Sequence, residues 1–275
     1  MGRLGTTGLL FCLMTAAVGA QTMPDTLTRA RQAFNEQRLD DAVTLASAAR
    51  TVAGTRDQAA LVLSRALLER FRRSGDVADL ALARQAVRDA MTVSADRWTS
   101  TERHELELAM AELLFADEHF GAAGAVFEAV LDQMSDGADR DRVFEWWALS
   151  LDHHAQRGLE EERARRYARL QTRVDLELRR RPSASALYWQ AAAARGVGDL
   201  ELAWALARAT WVRASLLVSG EALASLRGDL DRLVRDAIIP ERARATPLGA
   251  AAETQATLLA EWTAFKATWG GSLLP

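Results

Sequence analysis

Five alanines recur along this chain at nearly equal intervals. Ala42, Ala83, Ala123, Ala164 and Ala203 are separated by 41, 40, 41 and 39 residues. Four residues after each stands Ala46, Val87, Phe127, Ala168 or Ala207, and seven after each stands Ala49, Ala90, Val130, Gln171 or Thr210. Offsets of zero, four and seven lie on one face of an α-helix, where small side chains let a second helix approach closely. Such a recurrence confines the chain to a stack of similar units. No unit can bury its apolar face alone, so the stack shares one continuous core.

The segments between the turns are rich in Ala, Leu, Arg and Glu, all good helix formers. Proline is confined to Pro24, Pro182, Pro240, Pro247 and Pro275. Apolar residues recur at three and four, as in Leu106, Met110, Leu113 and Leu114, and no period-two alternation is sustained. The expected fold is therefore all-α. The turns recur as well: "NEQRLDDA", "RRSGDVADLALA", "ADEHFGAA", "AQRGLEEERA" and "GVGDLELA" each precede a helix start. Asp40 or Asp199 can cap a helix N-terminus, and Gly75 or Gly198 can take the positive φ that ends the preceding helix. A unit is then a helix, a tight turn and a second helix.

The turn glycine, an aromatic residue or Leu two positions on, and two small positions at the helix crossing resemble the second half of a tetratricopeptide repeat (TPR). Leu39, Phe120 and Leu200 fill the aromatic-or-Leu position, and Ala42, Ala123 and Ala203 the first small one. The resemblance covers roughly residues 25 to 215. The period here is near 40 rather than about 34, and a HEAT-like repeat of about 40–47 residues stays open as the alternative. The resemblance implies a right-handed solenoid of about five helix-turn-helix units with C-terminal capping helices. It also implies that the first helix of each pair lines a concave surface for a protein or peptide. Carried over by position, that surface takes Arg31 and Asn35 from the first unit, Glu112 from the third, and Tyr188 and Arg195 from the fifth.

The ends of the chain have their own signals. Residues 1–20 carry Arg3, an apolar core from Leu9 to Val18 and small residues at Val18-Gly19-Ala20, the pattern of a cleavable export signal. About ten apolar residues fall short of the roughly 20 that span a bilayer. Export to the periplasm or medium is expected, with the repeat domain at 21–240, a linker at 241–249 and an amphipathic helix and tail at 250–275. Glu221 to Ala237 reads as a helix stopped by Ile238-Ile239-Pro240. Leu258, Trp262, Phe265 and Trp269 then form a stripe at spacings of four, three and four. That stripe fits a cap on the open end of the stack, or a helix that docks a partner.

Most chemistries find no support. Cys12 is the only cysteine and lies inside the signal, so the mature chain has no thiol for disulfides or redox work. The four histidines have no metal-ligand spacing: "HELEL" lacks a second histidine four residues on, and His153 and His154 point about 100° apart on a helix. Asp136, Asp139 and Asp141 do not fit the register of a calcium loop. There is no G-x-S-x-G elbow and no phosphate-binding loop. No cofactor, metal or enzymatic activity is expected. With 34 basic against 37 acidic residues, nucleic acid is not expected as a partner. In "EEERARRYARLQTRVDLELRRR", Glu161–Arg165, Glu162–Arg166 and Arg173–Glu177 can pair along the helix, leaving Arg179-Arg180-Arg181 as the excess. Trp146, Trp147, Trp189, Trp204 and Trp211 are expected to fill space beside alanines rather than face a partner. The expectation is an exported interaction scaffold, possessed of no catalytic residues. Its alternatives are a small-ligand or glycan binder and a glycan hydrolase, which would need two acids facing across a cleft. The sequence leaves the oligomeric state open.

Overall fold

The helix-forming segments fold as helices and nothing else. The computed structural model describes residues 25–247 and 249–271, and no strand occurs among them. The export-signal residues 1–20 and the tail residues 272–275 lie outside this range. In chain order the helices are α1 (Thr26–Asn35), α2 (Leu39–Ala49), α3 (Arg56–Ser74), α4 (Val77–Met91), α5 (Ser100–Ala116), α6 (Phe120–Gln133) and α7 (Ala138–Gln156). They continue as α8 (Glu160–Arg180), α9 (Ala184–Gly196), α10 (Leu200–Leu217), α11 (Gly220–Leu233), α12 (Ile239–Arg244) and α13 (Ala251–Trp269). From α1 to α10 each helix packs on the next, α1 with α2, α3 with α4, and so on through α9 with α10. The first helices of these pairs also touch one another, α1 with α3, α3 with α5, α7 with α9 and α9 with α11.

The recurring small residues sit where the helices cross. Ala42, Ala83, Ala123 and Ala203 are fully buried, as are Ala46, Phe127 and Ala207 four residues on. Thr210 is tolerated there because its hydroxyl donates to the Leu187 carbonyl at 3.1 Å. The fourth copy departs from the expected register. Ala164 and Ala168 are exposed, and the buried face of α8 is Tyr167, Leu170, Val174 and Glu177. Tyr167 and Leu170 stand 40 residues after the buried Phe127 and Val130, whereas Ala164 stands 41 after Ala123, so the buried face of α8 is offset by one residue, about 100°, from the alanine count.

Gly196 on α9 accommodates the aromatic ring of Tyr167. A Cβ at Gly196 would lie 2.2 Å from the Tyr167 ring, whose hydroxyl donates to Asp152 at 2.6 Å. Gly196→Ala is expected to destabilise the chain by about 1–3 kcal/mol, although alanine is otherwise the better helix former. Gly121→Ala meets only the half-exposed His154 ring, which can swing aside, so its effect should be small. Denaturant titration of the two variants checks the contrast, and equal midpoints would show that Tyr167 has room to move.

The turns use positive φ as expected at Gly75 and Gly198, and also at Gln37 and Glu118, which replace glycine in two turns. Asp199 caps α10 by accepting from the Leu202 N–H at 2.9 Å. Asp40 is not a cap. It lies inside the first turn of α2 and pairs with Arg70 at 2.8 Å, which also holds the buried Asp79.

Ion pairs tie residues that stand one period apart. Arg50 meets Asp89, Arg157 meets Glu118, Arg169 meets Glu128, Arg173 meets Asp132, Arg181 meets Asp141 and Arg242 meets Glu201. All are separated by 39 to 41 residues. Within α8, Glu162–Arg166 and Arg173–Glu177 pair as expected. Arg180 and Arg181 are neutralised by Asp136 and Asp141, so two of the three arginines counted as excess are engaged within the chain. The three aspartates near Gly137 are thus arginine partners, Asp139 pairing with Arg142.

The C-terminal part differs from expectation at one point. The helix begun at Gly220 does not stop at Ile238-Ile239-Pro240. It passes through a π-helical segment, Val234–Ile238, and continues as α12 through Arg244, so the expected linker 241–249 opens with helix. A π segment shifts the hydrogen-bond register by one residue, and this accommodates the missing N–H of Pro240. Ile238 and Ile239 are then both buried. Helix α13 packs on α10 and α12, inserting Leu258 and Trp262 while Trp269 at the end of the stripe stays exposed. Trp262 meets Trp211 edge-on at 5.4 Å and lies 5.9 Å from Trp204. Trp147, Trp189, Trp204 and Trp211 are all buried, in line with their reading as core residues, and Trp146 is half-buried. No helix among the described residues is long and apolar enough to cross a membrane.

Candidate binding face

The first helices of the pairs present one row of side chains, and three recesses open along it in chain order. The first, about 220 Å³, lies between α1, α3 and α5. Arg31, Phe34 and Asn35 form one wall, Arg65 a second, and Glu102 and Glu105 a third. Thr99 fixes Glu102 through a capping box, its side chain bound to the Glu102 N–H and the Glu102 carboxylate bound to its own N–H. Arg31 reaches that carboxylate at 2.9 Å. Arg65 pairs with Glu105 at 2.9 Å and stacks over the Phe34 ring at 4.7 Å.

The second recess, about 260 Å³, lies between α3, α5 and α7. Its walls are Leu68, Phe71, Phe115 and Trp146, with Arg72 and Glu112 among them. Phe115 and Trp146 meet edge-on at 4.9 Å and close its floor between α5 and α7. Glu112 retains some contact with water, but protein crowds it from three helices. That crowding costs the charged form its hydration and pushes the carboxyl up to about 7, against the pull of Arg65 and Arg72.

The third recess, about 330 Å³, lies between α7, α9 and α11 and is lined by Glu145, Asp152, Tyr188, Trp189, Arg195 and Asp229. Desolvation raises the Glu145 carboxyl, and the nearby Asp229 adds to it. Glu145 is itself exposed, so solvent screens much of this effect. Desolvation also raises Asp152, although the Tyr167 hydroxyl donates to it. The Tyr188 phenol is pushed up to about 12 by burial and by Asp152 and Asp229, which keeps it a neutral donor.

The five residues expected on this face therefore divide among three recesses, Arg31 and Asn35 in the first, Glu112 in the second, Tyr188 and Arg195 in the third. Two of them are engaged within the chain. Arg31 is held by Glu102, and Arg195 is gripped by Glu241 of α12 at 2.5 and 3.0 Å. Asn35 is exposed, while Glu112 and Tyr188 are half-buried.

Sequence reasoning missed the recess residues Arg65, Arg72, Glu105, Glu145 and Asp152, although the signal was present. Arg65, Glu105, Glu145 and Ser185 are spaced by 40, and so are Arg72, Glu112, Asp152 and Ala192. All eight line these recesses. Stepping one period in each direction from Glu112 would have reached Arg72 and Asp152. Elsewhere, His104 meets Gln133, His153 stacks on Phe120, and no group of three or more His, Cys, Asp or Glu among the described residues could hold a metal ion. No family model, no curated protein and no solved structure matches this chain.

Proposed function

We propose that this chain is an exported scaffold, a solenoid of about five TPR-like helix pairs that binds a protein or peptide along the face of its first helices. The observation that carries the reading is the row of three recesses, lined at two sets of positions that repeat every 40 residues. Ion pairs between residues one period apart support the stacked arrangement, since equivalent positions in successive units are then neighbours. A row of spaced, partly apolar recesses suits an extended segment that places successive side chains into them. The export pattern of residues 1–20 supports a periplasmic or secreted location.

A photo-activated cross-linking residue at position 145, on the recess face, tests this reading. Position 82 on α4, where Leu82 is exposed, is the control. Envelope proteins should be captured from position 145 and not from position 82. Equal capture at both, or capture at neither, would remove the support for a binding face.

One observation favours a second reading, a glycan as ligand. The third recess combines Tyr188 and Trp189 with the carboxylates Glu145, Asp152 and Asp229, a mixture of aromatic surface and acceptors that sugars use. A thermal shift with glycan fragments that disappears in Tyr188→Ala would favour it over the protein partner.

A further inference from the structure

The second recess sets one carboxylate, Glu112, among apolar and aromatic walls, whereas the third gathers Glu145, Asp152 and Asp229. In the first, Arg31 and Arg65 each face a carboxylate; in the third, Arg195 has Glu241. In the second, Arg72 is spent on Glu69, with contacts of 2.5 and 3.0 Å. Glu118 at the rim is engaged by Arg157. Glu112 feels Arg65, Arg72 and Arg142 only through space, and Glu69 opposes them. A carboxylate thus stands among Leu68, Phe71, Phe115 and Trp146 with no cation of the described residues in contact.

We propose that this recess receives a lysine or arginine side chain of the partner. Its aliphatic stem would lie along Phe71, Phe115 and Trp146, and its cationic head would meet the Glu112 carboxylate. The inference rests on the reading that this face binds a protein or peptide segment, and it adds the chemistry of the segment. Three features select a cation with a long apolar stem. The walls are aromatic, and a cation gains from the ring faces as its stem gains from burial. Glu112 is desolvated without a partner, a condition that an incoming positive charge relieves. An apolar side chain would complete the burial of Glu112 and leave it unpaired, and an acidic one would meet Glu112 and, beyond it, Glu145.

Proton linkage gives the recess a distinctive readout. Glu112 faces Arg65, Glu69 and Arg72 from α3 and Arg142 from α7, and Glu145 of α7 is near enough to act on Arg72 as well. With its carboxyl near 7 in the free chain, Glu112 is mostly neutral at pH 6 and mostly ionised at pH 8. A cation needs the ionised form, so affinity should rise by about tenfold across that interval. Glu112→Gln removes the titration and keeps the shape.

The test is selection of random peptides displayed on phage against the purified full chain, with selected peptides located by hydrogen exchange. Peptides that protect α3, α5 and α7 should be enriched in Lys or Arg beside apolar residues. Their affinity should fall by about tenfold in Glu112→Gln at pH 8, and the rise between pH 6 and 8 should vanish in that variant, which should melt no lower than the parent because it removes a desolvated charge. Peptides that protect these helices without a basic residue, or that bind Glu112→Gln equally well, would overturn the cation inference and leave the binding face intact. Absence of any peptide protecting the first helices would overturn the binding face itself and this inference with it.

Discussion

Arg140→Ala should lower the melting temperature by roughly 10 °C. The guanidinium is almost inaccessible, 3% exposed, and serves four acceptors. It pairs with both oxygens of the buried Glu177 carboxylate at 2.7 and 3.0 Å, and donates to the carbonyls of Leu131 and of Met134, the latter at 2.8 Å. These contacts join the end of α6, the start of α7 and the last turn of α8. Removing the cation leaves Glu177 with Arg173 alone and strips two carbonyls of their donor. Breaking one partner of a buried pair costs about 3–5 kcal/mol, and each kcal/mol moves the midpoint of a chain this size by about 2–4 °C. The double replacement Arg140→Met with Glu177→Leu should cost less than Arg140→Ala, because no charge is then left buried and unpaired. Thermal denaturation followed by circular dichroism reads both. A single variant that melts within a degree or two of the parent would mean that water takes over the role of the guanidinium.

Trp262→Ala should detach α13 rather than unfold the whole chain. Trp262 is fully buried, its indole N–H donates to Asp231 at 2.7 Å, and it contacts Trp204, Trp211 and Phe265. Truncating a buried tryptophan costs about 3–5 kcal/mol. What remains on that side is Leu258, Phe265 beneath Arg208, a salt bridge from Lys266 to Asp231 at 2.5 Å and Arg227 donating to the Gly270 carbonyl at 2.8 Å. Amide exchange should therefore accelerate across residues 251–269 while α1 to α6 keep their protection. Equal acceleration throughout would show that α13 is part of one cooperative unit with the rest.

How much of this was legible beforehand differs by level. The helices, their turns and the burial of the small residues followed from local signals, because Ala at offsets of zero and four reports directly on close helix approach. The fourth unit defeated that signal: Ala164 is one residue off an even count of 40, on which Tyr167 follows Phe127 into the core, and Gly196, on another helix, leaves room for its ring. A contact between helices cannot be read from the periodicity of either one alone. Pro240 misled for a similar reason, since the π-helical segment before it absorbs the break that proline ordinarily causes. On the recess face, Glu112 and Tyr188 were located from the family resemblance, whereas the engagement of Arg31 and Arg195 by Glu102 and Glu241 depends on partners 71 and 46 residues away. The 40-residue spacing of Arg72, Glu112 and Asp152 was visible throughout, but polar positions draw attention only once the structure shows which way they face.

The ion pairs between residues one period apart have a mechanical consequence. Most bind exposed or half-exposed groups, where salt weakens attraction within about 10 Å at moderate ionic strength, while Arg140 and Glu177 lie beyond the reach of bulk ions. Rising salt should then soften the steps between successive helix pairs unevenly, leaving the α6–α8 region stiff and its flanks compliant. In the stacked arrangement proposed above, the spacing between the first and third recesses should then vary more freely as ionic strength rises.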